Sequence, residues 1–527
     1  MSGLGDDIAM PPPAGAETPE APSVARRVKG LTRDSLVYGL GMAGQKLIGL
    51  LLLPILTRVF EPAEYGASEL IGLLQLMISY FVVLGNDAAL LRFIFDTDSE
   101  LERRRIAGLG LLFRVAAAVA FTLLLLPASG GLSRLIFANT NYTALIMLTL
   151  ADLPFTTVVK FSIDLLRVRL RPAEFVAYSL GNLAAIAILT LALVPSVLPI
   201  ELPFLGLEVT LHGRGLGLTG VFLARLIADI LFTAIGLLWT WKDLARPHGF
   251  AVLGAMLRYG LPLVPVGLAQ FVLAYADRYV LNHFVSLDQV GPYSVGAKVS
   301  SFMMLFVAAF QYAWGPFAIS IFREANARET YAKVFSLYAF VAGAIGLVLT
   351  CLAREFLAVI TTSHYVHGYR VAGFLVFAAM ANGAFFIPAT GLQIATRTGL
   401  MGAIAVFSAL LNVALNLVLV GPLDVYGVAT ASLVAQMVAT ALLFAVAQRI
   451  YPVPFHPGRV ALTFMMAIGL AAIGIYFGRT GSGAAVAATA GALGLYLVGT
   501  VGLRVVAVQD FVILRNYLQK KTAVWRG

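Results

Sequence analysis

The chain has 527 residues, 60% of them hydrophobic and only 12% charged, with a mean hydropathy of +0.88. Soluble domains carry roughly 25% charged residues, so the composition excludes a water-soluble globular protein and predicts a polytopic membrane protein. The net charge of +10 would suit nucleic acid, but the basic residues lie between apolar runs and form no single patch, so they read as topology signals and no nucleic-acid partner is expected.

Residues 1–30 are rich in Ala, Pro, Gly and acids and lack an apolar core, which predicts a disordered cytoplasmic tail and not a signal peptide. Two apolar runs follow, flanking a short hinge from Arg58 to Gly66, and each is long enough to cross a bilayer as a helix. Lys46 lies near the middle of the first run. An unpaired ammonium facing lipid there costs about 3 kcal/mol, so Lys46 is expected to face protein or water. Apolar runs begin near residues 34, 66, 106, 142, 174, 215, 259, 291, 331, 371, 399, 425, 459 and 484. The expectation is an all-α protein of about fourteen transmembrane helices. The single cysteine, Cys351, lies inside one of these runs, which excludes a disulfide framework and a cysteine metal site.

Charge supports that count. With a cytoplasmic N-terminus, the inner segments collect most of the Lys and Arg, including Arg103 to Arg105, Lys160 with Arg167, Arg169 and Arg171, and Lys242 with Arg246 and Arg258. The outer segments hold only Arg58, Arg134, Arg214, Arg354, Arg370 and Arg479. An even number of spans keeps this bias on one side throughout and puts both termini in the cytoplasm.

The sequence also repeats. Tyr38-Gly39-Leu40 to Glu64-Tyr65-Gly66 resembles Tyr259-Gly260-Leu261 to Gln289-Val290-Gly291, and Thr219-Gly220-Val221 echoes Tyr426-Gly427-Val428. The offset of six helices implies two six-helix lobes, residues 31–245 and 246–450, related by an axis along the membrane normal, with a cavity between them. Two more helices, residues 451–507, and a cytoplasmic tail, 508–527, complete the expected organisation.

These residues carry a family likeness. Pro54, Thr57-Arg58, Glu64-Tyr65-Gly66, Gly85 to Arg92-Phe93, Tyr259-Gly260-Leu261-Pro262, Asp277-Arg278, Gly291, Tyr293, Asn412, Asn416 and Tyr426-Gly427-Val428 resemble the polysaccharide transporter family. These are Wzx-type oligosaccharide flippases of the multidrug/oligosaccharidyl-lipid/polysaccharide exporter superfamily. The resemblance covers about residues 30–450 and implies an alternating-access transporter, not an enzyme. It would move an undecaprenyl-diphosphate-linked oligosaccharide from the inner to the outer leaflet of a bacterial inner membrane. Its expected partners are that lipid-linked glycan, membrane lipids, and the glycan polymerase and glycosyltransferases of the same pathway. The rival readings are a cation-coupled multidrug exporter of the same superfamily and, further off, a membrane-embedded glycan polymerase. The longest outer segment, about Pro195 to Arg214, is short for the sugar-holding domain of a polymerase.

Five bases fall within the apolar runs, Lys46, Arg114, Arg225, Arg278 and Lys298, together with the acids Glu69, Asp87, Asp152, Asp229 and Asp277. Lipid exposure of ten charges would cost about 30 kcal/mol, more than a typical domain's stability, so most must face the interior. The bases are candidate cavity cations for a diphosphate. Asp152, Asp229 and Asp277 are candidate ion-pair or coupling groups, and Arg225 with Asp229, four apart on one helix face, could pair with each other. Pro262, Pro265, Pro316 and Pro388 remove backbone donors and permit bends. His364 and His367 have the spacing of a metal pair but no evident third ligand, so no metal is expected, and no cofactor motif is complete: Ala297 precedes Lys298 where a Walker loop needs Gly.

Overall fold

The computed structural model describes residues 48–202, 207–247, 249–478 and 481–503, with Gly41 and Gly44 ahead of them. The expectations for Lys46 and for both tails fall outside the described residues. The elements run in order α1 (Ile48–Val59), α2 (Pro62–Val83), α3 (Asn86–Phe95), α4 (Glu100–Leu125), α5 (Ser129–Phe137), α6 (Thr143–Val168), α7 (Pro172–Leu193), β1 (Val197–Leu202), β2 (Leu207–His212) and α8 (Gly217–Thr240). They continue with α9 (Ala251–Gly260), α10 (Val264–Phe284), α11 (Leu287–Ile321), α12 (Ala327–Cys351), α13 (Ala353–Ile360), α14 (Ser363–Val366), α15 (Tyr369–Ile394), α16 (Thr398–Ile450), α17 (Pro457–Phe477) and α18 (Ser482–Gly502).

Twelve of the described helices are long and apolar enough to cross a membrane. One of them must cross twice. At 1.5 Å per residue the 53 residues of α16 would span about 80 Å, far more than a bilayer core of roughly 30 Å. The helix is broken at Asp424, which adopts φ 52° and ψ −131°. Asn412 Nδ2 donates to Ser432 Oγ at 3.4 Å, whereas residues twenty apart on a straight helix would lie about 30 Å apart. Gly427 packs directly on the Leu419 carbonyl, a closeness that leaves no room for a Cβ. The element is therefore a hairpin of two antiparallel arms, and its arms correspond to the apolar runs expected from residues 399 and 425. Proline matters elsewhere as well: the expected seventh helix is divided into α9, a turn at Leu261–Leu263 containing Pro262, and α10, which has Pro265 in its first turn.

The expected hinge at Arg58 to Gly66 shrinks to Phe60 and Glu61, because Pro62 at the first helical position of α2 needs no hydrogen bond for its missing N–H. Apart from the β1–β2 hairpin, in which Val197 opposes His212 and Leu202 opposes Leu207, the regular structure of the described chain is helical.

Helices α2, α4, α6, α7 and α8 pack as one group; α10, α11, α12, α15 and α16 pack as another, and α17 and α18 lie against α12. The groups meet along α2 and α11. One apolar cluster straddles this seam, joining Ala67, Leu70 and Ile71 of α2 to Val290, Tyr293 and Ala297 of α11. Two glycines allow the approach. A Cβ on Gly66 would lie 2.8 Å from the Leu287 carbonyl oxygen, and one on Gly291 would run into the carbonyl of Pro62. The contact is reciprocal, residue i of α2 against j of α11 and the reverse, which is the signature of elements related by a local two-fold axis. These are the glycines that the sequence repeat pairs.

Gly291→Ala is accordingly expected to push α2 and α11 apart, at about 1–3 kcal/mol against the touching arrangement. Thermal unfolding of the purified variant in detergent should show that loss, and an unchanged melting temperature would show that the seam tolerates the extra methyl.

Candidate anion-binding cleft

Charged and polar side chains sit in three layers along α2. Near its N-terminus Lys298 Nζ of α11 meets Glu69 Oε1 at 2.9 Å, and Tyr65 Oη donates to the same carboxylate oxygen at 3.0 Å. Tyr365, from the short α14, donates to the Phe60 carbonyl at 2.7 Å. Burial raises its pKa above the ordinary tyrosine value, so it stays a protonated donor. These bonds tie the two helix groups together at this end.

Two turns further on, Gln75 Nε2 donates to Asp152 Oδ2 of α6 at 2.7 Å, and Arg225 Nε of α8 approaches the same oxygen at 3.6 Å. The expected Arg225–Asp229 pair does not form. Asp229 instead accepts from Asn182 of α7 at 2.9 Å, because α6 and α7 bring a carboxylate and an amide closer than the next turn of α8 can. Helix spacing alone did not show this.

The third layer opens into a cleft of about 290 Å³ between the helix groups. Leu76, Ser79, Tyr80 and Val83 line it from α2, at the i, i+3, i+4, i+7 positions of one helix face. Leu263, Val264 and Gly267 face them, and Asp87, Arg114, Lys160 and Asp164 complete the wall. The cleft is narrow because α2 ends in two left-handed residues, Leu84 and Gly85, and Gly85 packs backbone to backbone on Gly260.

Lys160 was counted with the inner segments, and the structure places it on a helix and not in a loop. Helix α6 continues to Val168, so Lys160 lies within it, about 12 Å from its end. Its ammonium donates to Ser79 Oγ at 3.2 Å. Among the described residues it has no ion-pair partner. Arg114 differs: it is 1% exposed and bonds Asp164 Oδ2 at 2.9 Å and Asn86 Oδ1 at 2.7 Å, with its guanidinium over the Phe161 ring. Its charge is already compensated. Sequence reasoning passed over Lys160 because a twenty-residue span counted from residue 142 ends there; the length of α6, 26 residues, carries the missing signal.

A half-buried cation with only a hydroxyl partner, set in a cleft between two helix groups, suits an anion. The family model described as polysaccharide biosynthesis protein matches residues 31–322, more than half the chain. The chain belongs to the polysaccharide biosynthesis protein family. Similar solved structures share this family member's fold. One is a multidrug resistance MATE family transporter of the MOP superfamily in its inward-facing conformation, 18% identical, with a TM-score of 0.56 over 77% of this chain and 94% of that one. Its outward-facing form matches at 18% identity and a TM-score of 0.53, over 80% and 95%. A Vibrio cholerae MATE transporter is 15% identical with a TM-score of 0.55, over 81% and 97%. The search of curated protein sequences returned no match. The chain therefore has the fold of these proteins.

The other expected residues of this family member take structural places. Asp277 and Arg278 bond each other at 2.8 Å, and Tyr293 donates to Asp277. Asn416 donates to Asn412 at 3.1 Å inside the α16 hairpin, both fully buried. Among the described residues no three His, Cys, Asp or Glu converge as a metal site would require.

Proposed function

We propose that the protein is a flippase that moves an undecaprenyl-diphosphate-linked oligosaccharide from the inner to the outer leaflet of a bacterial inner membrane by alternating access. The carrying observation is the Lys160 ammonium, which lines the cleft between the helix groups with Ser79 as its side-chain partner. Its charge suits a diphosphate, and the family's description points to glycan synthesis. The two helix groups would be the moving lobes and the Lys298–Glu69 bond a contact that opens as they rock. Glycosyltransferases and a polymerase of the same pathway would supply and consume the cargo. Asp87, which lines the same cleft without an ion-pair partner among the described residues, favours the second reading, export of a cation.

Reconstituted vesicles separate the two. A labelled undecaprenyl-diphosphate glycan should become accessible to an impermeant quencher in a protein-dependent way. Because an anionic head group moving outward gains about 2.3 kcal/mol per charge per 100 mV of inside-negative potential, the rate should rise with potential and depend little on a sodium gradient. Flipping driven by sodium alone at zero potential would refute the energetic part of this reading. Efflux of a lipophilic cation with no glycan movement would replace it by the exporter.

A further inference from the structure

A second cavity, of about 440 Å³, lies at the opposite end of the molecule from the cleft, between the starts of α13 and α15 and the facing ends of α17 and α18. Arg354, His367 and Arg370 line it against one acid, Glu355. Among the described residues neither guanidinium has an ion-pair partner. Both stand in the first turn of their helices, where the macrodipole favours anions and repels cations, so helix capping does not explain them. Thr350, 5% exposed, also lines the cavity, and its hydroxyl is buried without a hydrogen-bond partner. A neighbouring cavity of about 440 Å³ shares Ser363, His367 and Arg370.

The level of the site identifies its ligand. Tyr476 and Phe477, each 63% exposed, immediately precede Gly478 in the cavity wall. Aromatic side chains of this kind mark the depth of lipid head groups. The geometry points to a binding site for a phosphate anion at the head-group level of the face opposite the cleft, with Arg354 and Arg370 as its forked donors. Guanidinium geometry matches phosphate oxygens two at a time, and both helix starts add to the attraction. The last two helices thereby gain a role as the wall of a lipid-phosphate pocket. The inference stands whatever cargo the cleft carries.

The test is titration of the purified full-length protein with phosphatidic acid, followed by native mass spectrometry, with inorganic pyrophosphate as competitor. Wild type should retain the lipid and Arg354→Gln/Arg370→Gln should bind at least about tenfold more weakly, while Arg354→Lys/Arg370→Lys stays within about threefold of wild type. Pyrophosphate that displaces the lipid places both in one pocket. Pyrophosphate retained without lipid keeps the anion site and assigns it to a soluble phosphate. Equal binding by wild type and the glutamine variant, or binding of neither probe by wild type, overturns the proposal.

Discussion

Lys160→Met is expected to lower flipping of the diphosphate-linked glycan about 10- to 100-fold while the protein still accumulates in the membrane. The magnitude follows from one hydrogen bond to a charged group, worth about 1.5–3 kcal/mol, lost where the cargo's phosphate would sit. Folding should change little, because the ammonium gives up only its bond to Ser79. Methionine also keeps the apolar stem that packs along α6. Lys160→Arg should retain part of the activity. Vesicles containing Lys160→Met that flip the labelled glycan at the wild-type rate would remove Lys160 from the cargo path. Failure to accumulate, repaired by also neutralising Asp152 or Asp164, would make it a structural partner of the neighbouring carboxylates.

Arg114→Ala is expected to act on stability instead. Its guanidinium is enclosed by Asn86, Phe161 and Asp164, and only the last carries a compensating charge. Removing one member of a buried pair leaves the other charged and poorly solvated, at about 3–5 kcal/mol. Asp164 is 23% exposed at its side chain and recovers some water, which places the effect toward the lower figure. Thermal unfolding in detergent should show a large drop for Arg114→Ala. Arg114→Lys should recover little, since a point charge cannot reach Asn86 and Asp164 together. The double variant Arg114→Ala/Asp164→Ala should recover part of the loss. A single variant that melts like wild type yet does not transport would return Arg114 to the cargo, the role its sequence position first suggested.

The sequence by itself determined the membrane class, most of the membrane-spanning helices and the family. Each signal is local: an apolar run of about twenty residues, a proline or glycine at its end, and basic residues beside it are all read by the bilayer before any tertiary contact exists. From α11 onward the helices long enough to span a membrane begin within about four residues of the expected starts, while the short α13 and α14 were not expected. The glycine repeat even named the seam, since Gly66 and Gly291 meet there. Which charges are free was decided only by the tertiary structure. Asp152 could have bonded any of several cations, and it takes Gln75 and Arg225 from two other helices. Asp229 takes Asn182, which leaves Arg225 to Asp152. Inside a membrane a charge must find whichever partner the packing brings within about 3 Å, and that distance depends on the rotation and tilt of neighbouring helices, which hydropathy does not encode. Arg114 and Lys160 are both cations of the same cleft wall; their neighbours make one a strut and leave the other facing the space between the lobes.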